Sequence, residues 1–217
     1  MTLRVVLCGV DEAGRGPAMG PLVVAAVAIP DDAPLREIGV KDSKKLTPTK
    51  RIELSIRIRE MARVEVRVVQ AEEIDARENS LNELEAELFA ELLDRIAPTD
   101  AFLDACDTNE ARFARTVGSK LRCHPRLVAK HKADDIYPVV SAASIIAKTV
   151  RDEEMERICS SLGIVGMSGY CGDKRTNDFV EGYLKEHGSL PPHTRRSWKN
   201  IRKLSSDSKV SKLTDWE

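Results

Sequence analysis

The sequence lacks most of the features that would place it quickly. Its five cysteines, Cys8, Cys106, Cys123, Cys159 and Cys171, are odd in number, scattered, and never arranged as Cys-x-x-Cys. That argues against a disulfide framework and against a thiolate zinc site, and it fits a reducing, cytoplasmic setting. Net charge is nearly absent: 34 basic residues against 35 acidic ones leave a formal -1. A polyanion would therefore have to bind a local patch rather than the chain as a whole. No long apolar run exists. The longest, Leu22 to Ile29, falls far short of the ~20 residues that span a bilayer, so no membrane association is expected. The apolar run after Arg4 is too short for a signal peptide and has no small-residue cleavage site. Internal repeats are missing. Gly14-Arg15-Gly16 does not extend to a dinucleotide fingerprint, because Met19 stands where the third glycine belongs, and there is no Gly-Lys-Ser/Thr of a P-loop.

What is present reads as a globular chain. With 217 residues, 42% of them hydrophobic and 32% charged, it can bury a sizeable core in one large domain with a short appendage. The expected division is a main domain over 1–190, a basic helical segment over 191–205 and a flexible tail over 206–217. Leu3 to Val10 and Pro21 to Ile29 read as central strands, apolar on both faces and joined by a short Gly/Pro loop that predicts an antiparallel pair. Thr47-Pro48 opens an amphipathic helix. Val64 to Val69 alternates as a third strand. Ser80-Leu81-Asn82-Glu83 is a capping box, and Leu84, Leu88, Leu92 and Ile96 then line one helical face. Strands at Ala101 to Ala105 and Arg126 to Ala129 alternate with helices at Ala111 to Leu121, Ser141 to Leu162 and Arg175 to Glu186. The fold class is α/β, with an antiparallel hairpin on one side of the sheet and parallel strands on the other.

Acids follow three separate strands: Asp11 and Glu12 the first, Asp104 the next, and Asp134 with Asp135 the last. In open α/β sheets, sites form beyond the carboxyl ends of strands, so these acids should converge. Ionised carboxylates crowded together repel, and divalent cations relieve the repulsion. Four carboxylates balance two Mg²⁺ ions, which favour oxygen ligands over His or Cys. Two such ions about 4 Å apart could activate a water and stabilise the leaving oxygen of a phosphodiester. One acid after one strand is usually a turn residue or a helix cap, and three groups at three strand ends bring the two readings level.

The order of motifs carries more. Asp11-Glu12-Ala13-Gly14-Arg15-Gly16, Lys41-Asp42-Ser43-Lys44-Lys45-Leu46, Leu103-Asp104-Ala105-Cys106-Asp107, His131-Lys132-Ala133-Asp134, Ser141 to Lys148, and Ser168-Gly169-Tyr170 follow one another from Val5 to Lys199. In that order they resemble the type 2 ribonucleases H, specifically the archaeal branch of the ribonuclease HII family. The resemblance implies a ribonuclease H-like fold, a mixed five-stranded sheet flanked by helices, with a C-terminal helical appendage. It implies endonucleolytic cleavage of the RNA strand of RNA/DNA hybrids and at ribonucleotides embedded in duplex DNA, leaving 3′-hydroxyl and 5′-phosphate ends. Asp11, Glu12, Asp104 and Asp134 match the metal-binding catalytic tetrad, with two Mg²⁺ or Mn²⁺ ions during catalysis; Asp107 and Asp135 fall outside it.

Gly14, Arg15 and Gly16 match the loop whose backbone touches the ribose 2′-hydroxyl, a role suited to glycine, which lets a backbone approach closely. Tyr170 matches the tyrosine that reads the ribonucleotide. Ser43, Lys44, Lys45 and Lys148 are expected at phosphates, and Arg195, Arg196 and Lys199 in a duplex-binding helix; a solvated basic turn and a docked helix are the plainer readings. Cys171-Gly172-Asp173 departs from the Ser-Asp-Pro turn common in relatives. Leu213 and Trp216 stand at the aliphatic and aromatic positions of a degraded sliding-clamp motif, with Val210 and Glu217 in place of its glutamine and second aromatic. A monomer is expected. A resolvase- or transposase-like nuclease is the alternative, disfavoured by the Gly-Arg-Gly loop and Tyr170; a non-catalytic hybrid binder is disfavoured by the intact tetrad.

Overall fold

The computed structural model describes residues 5–40 and 46–214, with side chains described as far as residue 206. The chain divides into two compact units: Met1–Ala13, Val23–Val68 and Glu78–Arg151 in the first, and Gly14–Leu22, Val69–Arg77 and Asp152–Glu217 in the second. The chain passes repeatedly from one to the other.

The first unit is built on a mixed sheet of five strands, β1 (Leu7–Ala13), β2 (Leu22–Ile29), β3 (Arg63–Val69), β4 (Asp100–Asp104) and β5 (Arg126–Lys130), in the order β3-β2-β1-β4-β5. β1 runs antiparallel to β2 and parallel to β4, and β4 parallel to β5. Every residue of β2 is buried, as an unbroken apolar run covered on both faces should be. Helices α2 (Pro48–Met61), α4 (Leu81–Ile96), α5 (Glu110–Lys120) and α6 (Pro138–Ser161) lie close to their expected places. The Ser80 hydroxyl accepts from the Glu83 amide at 3.2 Å, as the capping box requires. Two short helices, α1 (Ala33–Glu37) and α3 (Ala71–Ala76), escape a reading based on periodicity, because neither completes two turns.

Gly9 decides how closely α6 approaches β1. A Cβ at Gly9 would lie 2.2 Å from the Val139 carbonyl carbon and 2.3 Å from the Val140 amide. Only a bare Cα lets the first turn of α6 rest on the strand. Side chains two apart on a strand share a face, so the face of β1 that meets α6 at Gly9 is the one that carries Asp11. Gly9→Ala is expected to lower the melting temperature by about 5 °C or more, measured by calorimetry, since the clash is with backbone. An unchanged melt would mean that α6 sits further from the strand.

The second unit packs Ala18, Met19, Met155, Ile158, Met167, Val180 and Ile201 into its own core. Its helices include α7 (Lys174–His187) and α8 (Lys199–Thr214). The backbone is therefore helical well past residue 206, where a flexible tail is expected from composition.

Candidate active site

β1 and β4 are parallel neighbours paired as far as Val10 with Leu103, so their next residues are Asp11 and Asp104. Asp104 Oδ1 accepts from the Ala133 amide at 2.7 Å and so caps the 3-10 turn Ala133–Asp135 that carries Asp134. Lys132, in the left-handed region with φ 55°, turns the chain from β5 into that turn. The Ser141 hydroxyl donates to the Asp134 carbonyl oxygen, fixing the turn to the first turn of α6. Asp11 and Glu12 therefore lie inside β1, which runs on to Ala13 rather than ending before them as expected, while Asp104 closes β4 and the Ala133 amide ties the turn that carries Asp134 to Asp104.

The electrostatics carry the mark of this crowding. Burial pushes the Asp11 carboxyl well above the usual carboxylate range, and the neighbouring Glu12 and Asp104 push it further. The Ser144 hydroxyl and the Glu12 amide oppose the rise, the latter donating to Asp11 Oδ1 at 2.7 Å. Ser144 and Lys148 lie one turn apart on α6, so the half-buried lysine continues the helical face that meets Asp11.

Among the described residues, no three His, Cys, Asp or Glu side chains meet as a ready-made metal cage. The donor set nevertheless suits a hard divalent cation: it is all oxygen, and its mutual repulsion is what a cation would relieve. Mg²⁺ characteristically binds through one or two carboxylates, its own waters and substrate phosphates, so a cage closed in advance is not needed.

In the second unit, Gly14 has φ 89°, a conformation that favours glycine, and opens the loop that continues β1. Gly16 is exposed, and a Cβ built there would lie 3.9 Å from Cε1 of Tyr170. Tyr170 is 42% exposed rather than lost in the core. Its turn is held on both sides. The Ala18 and Met19 amides donate to the Gly169 carbonyl at 2.8 and 3.1 Å. Asp173 accepts from the Ser168 amide and hydroxyl at 2.8 Å each, which together with the Arg175 amide holds its carboxyl below the usual range. The altered sequence after Tyr170 therefore retains an acid that pins the turn and caps α7.

The family model for ribonuclease HII matches residues 8–201. The chain belongs to the ribonuclease HII family. It is a hydrolase, a ribonuclease of the H type. The ribonuclease HII of Pyrococcus furiosus is 47% identical over 209 residues, covering 94% of this chain and 93% of that protein. Among solved structures, the ribonuclease H2 of Pyrococcus horikoshii OT3 superposes with a TM-score of 0.89 at 43% identity, over 94% of this chain and 99% of the other. The ribonuclease HII in a PCNA:RNase HII complex from Archaeoglobus fulgidus gives 0.84 at 42%, over 90% and 96%. The expected ribonuclease H-like fold is the observed one.

For this ribonuclease HII family member, one expectation needs correcting. Arg195, expected on a duplex-facing basic surface, is completely buried. Its guanidinium donates to the carbonyls of Gly20, Arg15 and Gly14, so it cannot also face a duplex. Arg196 and Lys199 are exposed, as a duplex contact would require. Asp107 is held by Arg112 and accepts from the Asn109 amide at 2.9 Å, a structural arrangement outside the tetrad; Asp135 is exposed. Ser43, Lys44 and Lys45 lie outside the described residues, as do Trp216 and the side chain of Leu213. No described helix is long and apolar enough to cross a membrane. Ser141 binds the Asp134 carbonyl and Ser144 the Asp11 carboxyl, and in the sequence only their small size within an apolar helix start marks them.

Proposed function

We propose that this ribonuclease cuts the RNA strand of RNA/DNA hybrids, and duplex DNA at embedded ribonucleotides, leaving 3′-hydroxyl and 5′-phosphate ends. The observation that carries the reading is the buried Asp11 carboxyl set beside Glu12 and Asp104 on the parallel neighbours β1 and β4, where burial first and then those two acids push it up. Asp11, Glu12, Asp104 and Asp134 would hold two Mg²⁺ or Mn²⁺ ions. When bound, these supply a water activated for attack and charge stabilisation at the leaving oxygen. The chain's own groups do the rest. The Ser144 hydroxyl orients Asp11. Lys148 offers a cation to a phosphate. The Gly14–Gly16 backbone meets the 2′-hydroxyl, which alone distinguishes RNA from DNA at a given sugar, and Tyr170 packs on the adjacent sugar.

Tyr170→Ala tests the recognition half. A lone ribonucleotide offers one productive register and a long hybrid many. The variant should therefore lose about tenfold or more at a lone ribonucleotide and several times less on a long hybrid, measured as kcat/KM. Equal losses on both substrates would remove Tyr170 from recognition.

The degraded motif at Leu213 and Trp216, together with 42% identity to a ribonuclease HII solved in complex with PCNA, favours weak sliding-clamp binding as a second activity of the chain. Two apolar anchors three positions apart in the sequence suit a hydrophobic pocket, with affinity of roughly micromolar order. Titration of a tail peptide with the host clamp, beside a Leu213→Ala/Trp216→Ala peptide, should show binding by the first alone. No binding, or equal binding, rejects it.

A further inference from the structure

The residues that the catalytic reading leaves unexplained lie under the Gly14–Gly16 loop. Arg195 is a fully buried cation whose three donor nitrogens go to main-chain carbonyls: Nε to Gly20 at 3.0 Å, Nη1 to Arg15 at 3.0 Å and Nη2 to Gly14 at 2.6 Å. The next carbonyl, that of Gly16, accepts from the Trp198 indole at 3.3 Å. Two side chains from one short segment thus engage three consecutive carbonyls of the loop. Two guanidinium groups lie over the Trp198 ring, Arg195 at 4.8 Å and Arg77 at 5.4 Å from its centre. The segment is anchored in turn by Asp75, which accepts from the Arg196 and Ser197 amides at 2.6 and 3.0 Å and from the Ser197 hydroxyl at 2.5 Å. The Arg195 amide donates to Ala18 at 2.8 Å, beside the two amides that fix Gly169 ahead of Tyr170.

The geometry of the peptide group gives this arrangement a direction. A trans peptide is planar, and its N–H points opposite to its C=O. The Gly14 carbonyl shares a plane with the Arg15 N–H, and the Arg15 carbonyl shares one with the Gly16 N–H. Whatever grips those two oxygens from the buried side therefore aims those two N–H groups outward. The Gly16 peptide has no N–H to aim, because Pro17 follows, so Trp198 fixes only the exit of the loop.

We infer that Arg195 is a positioning residue for sugar discrimination, holding the Gly14 and Arg15 peptide planes so that the Arg15 and Gly16 N–H groups face the ribose 2′-hydroxyl, with Trp198 as its support. This rests on the reading that the Gly14–Gly16 backbone meets the ribose. A guanidinium suits the task because it is planar, always charged and carries donors in a fixed fork, whereas an ammonium is a compact charge with no such template. A purely structural strut would support every activity of the chain alike. An aiming device affects the ribose-to-deoxyribose ratio selectively.

The test is binding, with divalent metal chelated so that no strand is cut. Dissociation constants are measured for a DNA duplex carrying one ribonucleotide and for the all-DNA duplex of the same sequence. Wild type, Arg195→Lys and Trp198→Phe are compared, and a thermal melt of each verifies folding. Wild type should prefer the ribonucleotide duplex. Arg195→Lys should lose about tenfold of that preference, the worth of one well-aimed hydrogen bond, and Trp198→Phe about threefold, with all-DNA affinity unchanged in both. A folded variant that keeps the wild-type ratio, or that loses both affinities equally, overturns the inference. If Arg195→Lys does not fold, Trp198→Phe decides in the same way. If wild type itself shows no preference, the reading of the loop as a ribose contact fails instead, and the two failures are distinct.

Discussion

Asp134→Asn should reduce cleavage by about a thousandfold or more, equivalent to ~4 kcal/mol of lost transition-state stabilisation, while binding of an RNA/DNA hybrid survives. The substitution keeps the shape of the side chain and removes its charge. The 3-10 turn that carries Asp134 is held from elsewhere: Asp104 accepts from the Ala133 amide, the Ser141 hydroxyl donates to the Asp134 carbonyl, and the Ile136 amide donates to Ala133 at 3.0 Å. Asparagine leaves all three in place, so the turn should persist. Single-turnover rates in Mg²⁺, beside hybrid affinity in chelator, separate the two properties. A near-normal rate would take Asp134 out of the tetrad.

Asp11→Asn should abolish turnover and at the same time make the metal-free protein harder to melt. The sign follows from linkage. Burial, Glu12 and Asp104 raise the folded-state pKa of Asp11 above its unfolded value. A carboxyl raised in this way favours folding only while it is protonated. That contribution is complete below the unfolded pKa, near 4, and is lost as pH rises through the folded one. At neutral pH the wild-type chain has therefore lost stability that asparagine, which does not titrate, keeps. The melting temperature of Asp11→Asn should exceed wild type by a few degrees at pH 7 to 8, and the gap should close as pH falls toward 4. Added Mg²⁺ should narrow the gap by stabilising wild type alone. A variant less stable than wild type across that range would mean that the acids are not mutually repulsive.

How much of this was legible in the sequence depends on the range of the interactions involved. β2 and α4 could be read because their signals are local: an unbroken apolar run in one, a capping box and a leucine stripe in the other. The nearness of Asp11 to Asp104 could be read because acids toward the carboxyl ends of neighbouring parallel strands converge. Arg195 could not. Its neighbours Arg196, Lys199 and Lys203 suggest a solvated basic face, and nothing local says that this one arginine turns inward to meet carbonyls some 180 positions earlier in the chain. Gly9 shows the same limit: it reads as a weak strand residue until α6 is seen lying against its Cα. The departure after Tyr170 looks disruptive as sequence, yet Asp173 still ties Ser168 and caps α7, because the turn needs its acid more than its proline.

The most direct measurement is cleavage of two matched duplexes by the purified chain in Mg²⁺ or Mn²⁺, one all-DNA and one carrying a single ribonucleotide, with the ends of the product strands determined. The account predicts a cut at the ribonucleotide alone, 3′-hydroxyl and 5′-phosphate ends, and no reaction in chelator. Comparable cutting of the all-DNA duplex, or cleavage that survives removal of divalent metal, would contradict it.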